Sequence, residues 1–383
     1  MGLRILVVSF RDIRHPEAGG AEVILHEIFR RLAGRGHEVH FLTGSFRGAG
    51  LEERIDSYTV HRTGRAPTFP AAAPLYYRRA LRGRRFDVLF EDLNKIPLLT
   101  PLWDARLPVL ANVPHLFGTT VFDQAGPLVA GSVWLSERLI PSVYRKVPFA
   151  VLSESTRDDL AARGIRRERL RVIRSGIDHA LYVPPARNGA PPPVMTYLGR
   201  LKKYKRIEYP IRALPAIRRR VPEAEYWIVG EGDYLEALRA EARRAGVEGA
   251  VRFLGYRGGR EKLETLYGTR ALLYTSPKEG WGLSVIEAGA CGVPTVASDS
   301  PGLCESVRPG ETGFLVPHGD IGALAEACTA LLSDDALWDR MSRAAIDWAR
   351  TFDWERNADE MEGYLEQTAR RGATPAAVQE EGR

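Results

Sequence analysis

The chain has 383 residues, 44% of them apolar and 27% charged, the balance of a soluble globular protein long enough for two domains of ordinary size. No run approaches the roughly 18 consecutive apolar residues that span a bilayer, Met1-Gly2-Leu3-Arg4 leads into an apolar strand rather than a signal sequence, and Cys291, Cys304 and Cys328 form no C-x-x-C pair. These features argue against a membrane-spanning protein, a disulfide framework and a zinc cluster; the expected location is the cytosol, with the cysteines as small buried side chains.

The first half opens with the buried parallel-strand pattern Arg4 to Ser9, a loop, an amphipathic helix over about Ala21 to Ala33 and a second strand at Glu38 to Thr43, which together read as a βαβ unit. Further strands are expected at Phe86 to Phe90, Pro108 to Asn112 and Phe149 to Ser153. Such alternation with helices implies a parallel sheet covered on both faces. Between Val183 and Pro193 five prolines fall in eleven positions, so neither helix nor sheet continues there. The pattern then restarts, with strands at Val194 to Leu198, Ala224 to Val229, Val251 to Leu254, Ala271 to Tyr274 and Pro294 to Ala297. The fold class read from this is α/β, two doubly wound Rossmann-like domains facing across a cleft: residues 1–185, a linker over 186–193, and residues 194–347. The tail, 372–383, is polar and expected to be flexible.

Charge is distributed unevenly. Residues 1–190 carry 28 Lys and Arg against 19 Asp and Glu, a net of +9, while residues 191–383 carry 26 against 29, a net of −3. Arg54, Arg62, Arg65, Arg78, Arg79, Arg82, Arg84 and Arg85 stand against the single acid Asp56. Either this is a solvated face, or it draws the protein peripherally to the anionic inner membrane surface or to an anionic acceptor. Phe69, Pro70, Leu75, Tyr76 and Tyr77 beside these arginines permit a lipid-linked acceptor. Nucleic acid is not expected, because no zinc-finger or RRM signature accompanies the arginines.

Two segments carry the most chemistry. Lys278-Glu279-Gly280-Trp281-Gly282-Leu283-Ser284-Val285-Ile286-Glu287 places two carboxylates eight positions apart across a strand-to-helix turn. Gly280 and Gly282 let backbone N–H groups approach a ligand, the helix beginning near Leu283 offers unpaired donors to a phosphate, and Glu279 and Glu287 can each accept from a pair of sugar hydroxyls. Upstream, Tyr197-Leu198-Gly199-Arg200-Leu201-Lys202-Lys203-Tyr204-Lys205 runs from a strand through a glycine turn and sets Arg200 and Lys205 at the head of the next helix. Taken alone, either could be an ordinary α/β turn with solvated charges.

Together the two segments resemble the family-4, GT-B-type retaining glycosyltransferases. The resemblance implies that Arg200 and Lys205 of G-R-L-x-x-x-K bind the donor diphosphate, that Glu279 lies against the transferred sugar and that Glu287 holds the ribose. It further implies that Gly19 and Gly20 of Gly19-Gly20-Ala21-Glu22 belong to a loop over the donor phosphates and the acceptor. Gly230 and Glu231 correspond to a G-x-G turn beside the nucleotide, and Tyr256 to a contact with the base. Gly280, Trp281, Gly282 and Leu283 complete the donor site. His115, past a strand end, corresponds to a histidine near the reacting carbon, although its surroundings depart from the commoner T-x-H-D form. By the same resemblance the first domain binds the acceptor, and a C-terminal helix over 348–371 crosses back to it.

The expected activity is that of a hexosyltransferase, transfer of a sugar from a nucleoside-diphosphate donor to a hydroxyl acceptor with retention, with Glu279, His115, Arg200 and Lys205 as the catalytic set. No metal and no other cofactor is expected, since no D-x-D occurs and His and Cys ligands are not clustered. The alternatives are a noncatalytic nucleotide-sugar or carbohydrate-binding protein on the same fold, a sugar-nucleotide epimerase, and a glycan phosphorylase. The last is disfavoured because no pyridoxal-lysine signature is evident. Donor base, sugar, acceptor and linkage are not encoded in these motifs.

Overall fold

The structure, a computed structural model, describes residues 2–123, 126–186 and 189–373. Its first sheet is built from β1 (Arg4–Val8), β2 (Glu38–Thr43), β3 (Glu52–Ile55), β4 (Tyr58–Arg62), β5 (Val88–Asp92), β6 (Val109–Val113), β7 (Phe149–Val151) and β8 (Leu170–Val172), in the spatial order β3-β4-β2-β1-β5-β6-β7-β8. The middle strands are near-continuous apolar runs because helices cover both faces: Ile5 through Val8 are fully buried, with Ile5 in register with Val39 on one side and Val88 on the other.

A second sheet, β11-β10-β9-β12-β13-β14, is parallel throughout. Its strands are β9 (Val194–Leu198), β10 (Glu225–Val229), β11 (Val251–Gly255), β12 (Ala271–Tyr274), β13 (Thr295–Asp299) and β14 (Gly313–Pro317). Its core joins Met195, Ile211, Leu214, Tyr226, Leu272 and Leu331.

The helix expected at Ala21 to Ala33 spans Gly20–Gly34, and the expected strands lie within two residues of those observed. Four strands carried too little pattern to be read. β3 and β4 form an antiparallel hairpin, turning at Asp56 with φ +48°, so the first sheet is mixed at one edge. The charged edge sequence of β3 conceals the alternation, and β4, inside the sheet at Tyr58–Arg62, carries polar residues among its buried ones. β8 has only three residues, and β14 begins with a glycine and ends with a proline.

The chain divides into two units, each with one sheet: residues up to Val121, Pro127–Gly176 and the stretch from Trp354 onward, and Ile177–Asp353 with a short piece at Phe122. The boundary therefore falls at Gly176, ahead of the expected 185. The chain on both sides of the first prolines is bound to the second unit: Tyr182 reaches Glu287, His179 reaches the Phe352 carbonyl, and the Pro191 carbonyl accepts from Arg270. Of the expected linker, Arg187 and Asn188 lie outside the described residues, as do residues 374–383 of the expected tail.

The last helix runs Trp354–Ala373 and belongs to the first unit. Its start is six residues later than expected because Trp348 belongs to the last turn of the preceding helix, Asp335–Ala349, where it packs edge-on against Phe352 and donates to the Ser306 carbonyl. Arg35 fastens the last helix through Glu355, Asp359 and Glu362, His37 through Glu362, and the helix buries its own Ala358, Met361 and Leu365.

Each sheet contains a break in its winding. In the first, the chain moves from β1 outward to β2 and the hairpin, then returns to β5 on the other side of β1. In the second it moves from β9 to β10 and β11, then returns to β12. At such a break the loops leaving the adjacent strands diverge, and the crevice beyond their carboxyl ends is where open α/β sheets take ligands.

Candidate active site

In the second unit the loops leaving β9 and β12 meet at this break. After β9 the chain turns at Gly199 and passes Arg200 to the short helical turn Lys203–Lys205. After β12, Thr275 donates to the Arg206 carbonyl at 2.7 Å, tying the two loops together. That junction brings Lys205 Nζ to 2.5 and 2.7 Å from the two oxygens of Glu279, and Ser276 Oγ donates to the same carboxylate at 2.5 Å. The lysine and glutamate side chains are 11% and 14% exposed, so the pair is partly desolvated yet reachable. Burial works to lower the Lys205 amine, but Glu279, helped by Tyr204 and Tyr274, outweighs it and holds the ammonium above its ordinary range.

The turn after β13 clamps Glu279 from behind. Its N–H donates to the Pro301 carbonyl at 2.9 Å, and Gly302, at φ +83°, lies where a Cβ would come within 2.3 Å of the Glu279 carbonyl oxygen. Only glycine tolerates both conditions. Gly282, at φ +96°, caps the helix Leu283–Ala290 and leaves the N–H groups of Gly282, Leu283 and Ser284 without an acceptor among the described residues.

Glu287 sits on this helix, and two residues that carried no sequence signal hold it. Tyr182 donates to Oε1 at 2.8 Å, while Lys262 contacts Oε2 at 2.6 Å and the Tyr182 hydroxyl at 2.9 Å. Burial and then Glu287 push the Tyr182 phenol far up, so it stays a donor at any working pH. Lys262 is one of many charges on an amphipathic helix, and Tyr182 is more than one hundred positions away in sequence from Glu287, which is why local spacing could not pair them.

The other expected donor residues separate. Arg200 is exposed, and its guanidinium has no ion-pair partner among the described residues, leaving its planar fork available. Tyr256 is exposed at 74%, just past β11. Trp281 instead turns into the core, 2% exposed and packed on Phe352 at 5.1 Å, so only its backbone faces the turn. Gly230 serves an approach within the chain itself: a Cβ there would lie 1.9 Å from the Gly199 carbonyl oxygen. Glu231 is exposed, with its carbonyl accepting from Leu201 N–H at 2.9 Å.

Gly19, Gly20 and His115 lie in the first unit. Gly19 caps the helix Gly20–Gly34, with Glu22 accepting from its N–H at 2.7 Å. A Cβ on Gly20 would meet nothing within 4 Å, so the steric explanation for this glycine fails and space is left above the helix start. His115 follows β6 and packs edge-on against Phe117 at 4.9 Å. Beside the break between β1 and β5 lies a residue the sequence did not single out. Asp92 is 1% exposed and accepts from Asn112 at 2.8 Å and from Ser9 at 3.1 Å. Burial first, then the charge of Glu22 and Glu91, push its carboxyl up to about 7 against the pull of those two bonds.

Several expectations about the surface change. Arg62 is fully buried, paired bidentately with Asp12 at 2.8 and 3.0 Å and with Glu53 at 2.7 Å, so it leaves the basic face. Phe69 and Tyr77 are core residues, not lipid contacts. Cys291 and Cys328 are buried and Cys304 half-buried. No group of His, Cys, Asp or Glu among the described residues is arranged to hold a metal ion, and no helix among them is long and apolar enough to cross a membrane.

This architecture, two α/β units each wound about its own parallel break, is that of the GT-B glycosyltransferases. The group 1 glycosyl transferase model matches residues 185–348 and the glycosyltransferase family 4 model residues 18–181, and the chain belongs to that family. Over 186 residues, 48% of the chain, it is 38% identical to a glycogen synthase of Mycobacterium tuberculosis, a match spanning about half (45%) of that relative. A D-inositol 3-phosphate glycosyltransferase of Kribbella flavida is 25% identical over 379 residues, covering 89% of both chains. The Anabaena protein HepE, solved with UDP and glucose, shares the fold at a TM-score of 0.77 and 22% identity, covering 95% of this chain and all of its own.

Proposed function

We propose that the chain transfers a sugar from a nucleoside-diphosphate donor to a hydroxyl acceptor with retention at the anomeric carbon. The observation that carries this reading is the Lys205–Glu279 pair at the β9/β12 break: a cation and a hydroxyl acceptor, both preorganised, side by side. Arg200 and Lys205 take the diphosphate, helped by the free N–H groups at Gly282–Ser284. Glu279 accepts from sugar hydroxyls, Glu287 from the ribose, and Tyr256 lies against the base. The first unit, through Gly19, Gly20 and His115, serves the acceptor side.

In the reaction the bond from the anomeric carbon to the diphosphate oxygen breaks as the acceptor oxygen bonds to the same face. The acceptor proton passes to the departing phosphate oxygen, and free nucleoside diphosphate leaves. No covalent nucleophile is assigned. Arg200 and Lys205 offset the charge on the leaving group, the work a divalent metal would otherwise do, so transfer is expected to persist in a chelator. The positive first half of the chain supports contact with an anionic membrane surface.

Thermal stability against UDP, GDP, ADP and dTDP and their common sugars tests the donor site, because a ligand of the folded state stabilises it. A shift selective for one nucleotide, lost in Arg200→Ala, is the expected result. No shift with any of them at millimolar concentration overturns the reading in favour of a retired site.

A further inference from the structure

The apolar residues Leu128, Val129 and Leu135 stand out on the first unit's surface, exposed at 91%, 58% and 60%. They lie on the helix Pro127–Glu137, whose buried positions are Ala130 and Glu137. Leu128 and Leu135 are seven residues apart, two helical turns, and share the face opposite to those buried positions; Leu139 follows in the next turn, also exposed. A stripe of this kind on a soluble unit marks a contact surface, since water offers no reason to hold four large apolar side chains outward.

Exposed charge within this segment has one sign. Between Pro127 and Lys146 the only acid is Glu137, and it points inward, bonded to the N–H groups of Phe117 at 2.7 Å and Gly118 at 3.0 Å and to Arg163 at 3.3 Å. Arg138, Arg145 and Lys146 are exposed. The Arg138 guanidinium lies 3.7 Å over the Trp134 ring, an amphipathic aromatic and cation pair of the sort that settles at the level of lipid headgroups. Apolar tips, an indole beside them and cations with no exposed acid in the same segment complement a bilayer bearing negative headgroups.

We infer that the helix Pro127–Glu137 with Leu139 is the element by which this protein lies on an anionic membrane surface, its leucines entering the acyl boundary and Arg138, Arg145 and Lys146 meeting the headgroups. The inference gives the membrane contact proposed above a specific element and moves it away from Phe69–Tyr77, whose rings are largely core. It is independent of donor chemistry, so vesicle binding is measured with neither donor nor acceptor present.

Co-sedimentation with vesicles of phosphatidylcholine alone, and of phosphatidylcholine mixed with phosphatidylglycerol, provides the test. Binding is expected with the mixed vesicles and is expected to fall about tenfold or more in the double variant Leu128→Glu, Leu135→Glu, which loses apolar insertion and gains headgroup repulsion. Both positions are exposed, so the double variant should keep its wild-type melting curve. Trp134 fluorescence, isolated as the difference from Trp134→Phe, should shift to the blue on the mixed vesicles. The inference is overturned if the wild type ignores anionic vesicles at low salt or if the double variant binds them unchanged. It also falls if Arg78→Glu with Arg79→Glu abolishes binding while the leucine variant does not, which would place the contact on the arginine cluster. A wild-type dimer that the leucine variant converts to monomer would give the stripe to a second copy of the chain.

Discussion

Beyond β9 and β12 the second unit sets Lys205 and Lys262 against Glu279 and Glu287, all partly reachable from solvent. Beyond β1 and β5 the first unit holds Asp92 through the neutral donors Ser9 and Asn112, closed away from solvent. The winding of the two sheets is the same at both places, so topology selects where a site forms and the loop side chains select its chemistry. Cation and carboxylate pairs suit a ligand carrying both phosphate and hydroxyls. A buried carboxyl among neutral donors suits no anion, which agrees with giving the diphosphate to the second unit.

The sharpest way to break this comparison is to remove a cation from the second unit. Lys205→Ala removes the ammonium from Glu279 and leaves its bond from Ser276, and transfer should fall by roughly 10²–10³, the usual cost of losing one preorganised contact to a developing charge. Glu279→Ala should cost a similar factor. Circular dichroism should show both variants folded, and the nucleotide thermal shift should vanish in Lys205→Ala. If turnover stays at the wild-type level in both, Lys205–Glu279 is a structural ion pair and the two units no longer differ in the way claimed.

A second prediction concerns the first unit and runs with pH. Because the folded pKa of Asp92 is raised to about 7 from 3.8, the native state binds the extra proton between those values, and the stability this carboxyl contributes declines as pH climbs through that window. Asp92→Asn presents the same shape, with its oxygen accepting from Asn112 and its amide donating to Ser9, and carries no charge to desolvate. Its stability advantage over the wild type should therefore grow by on the order of 2 kcal/mol between pH 5 and pH 8, read from urea midpoints across that range. A gap that stays constant with pH would mean the carboxyl is solvated in the folded protein.

Much of the architecture was legible because parallel strands buried on both faces write themselves as unbroken apolar runs, as Ile5–Val8 and Leu272–Tyr274 do. The hairpin β3-β4 was not, since an edge strand such as Glu52–Ile55 is mostly charged and the pairing that defines it is not local. The same division holds at the site. Glu279, Glu287, Arg200 and Lys205 sit at fixed spacing within two segments and could be read. Tyr182 and Lys262 become partners of Glu287 only through the fold, and the inward turn of Trp281 is decided by Phe352, far along the chain. Glycines divide likewise: the G-x-G turn could be read at Gly230, but only the structure shows that Gly230 and Gly302 both yield to this chain's own carbonyls.

The smallest effect expected is at Glu287, and it asks what kind of contact the second unit makes there. Tyr182→Phe removes one neutral donor to Oε1 and should weaken nucleoside-diphosphate binding about three- to tenfold, the value of one hydrogen bond. Lys262→Met removes the charged partner of Oε2 and belongs at or above the upper end of that range. If Glu287 holds the ribose equally well before and during transfer, both losses fall on the donor KM and leave kcat near the wild-type value. A 2′-deoxy donor, which lacks one hydroxyl that Glu287 would accept from, should bind the wild type and Tyr182→Phe with nearly equal affinity, because the carboxylate no longer has that partner to be oriented toward. A fall in kcat at unchanged KM would instead give Glu287 a contact made only in the transition state. It would then join Glu279 in the chemistry and narrow the difference between the loop carboxylate and the helix carboxylate of this strand-to-helix segment.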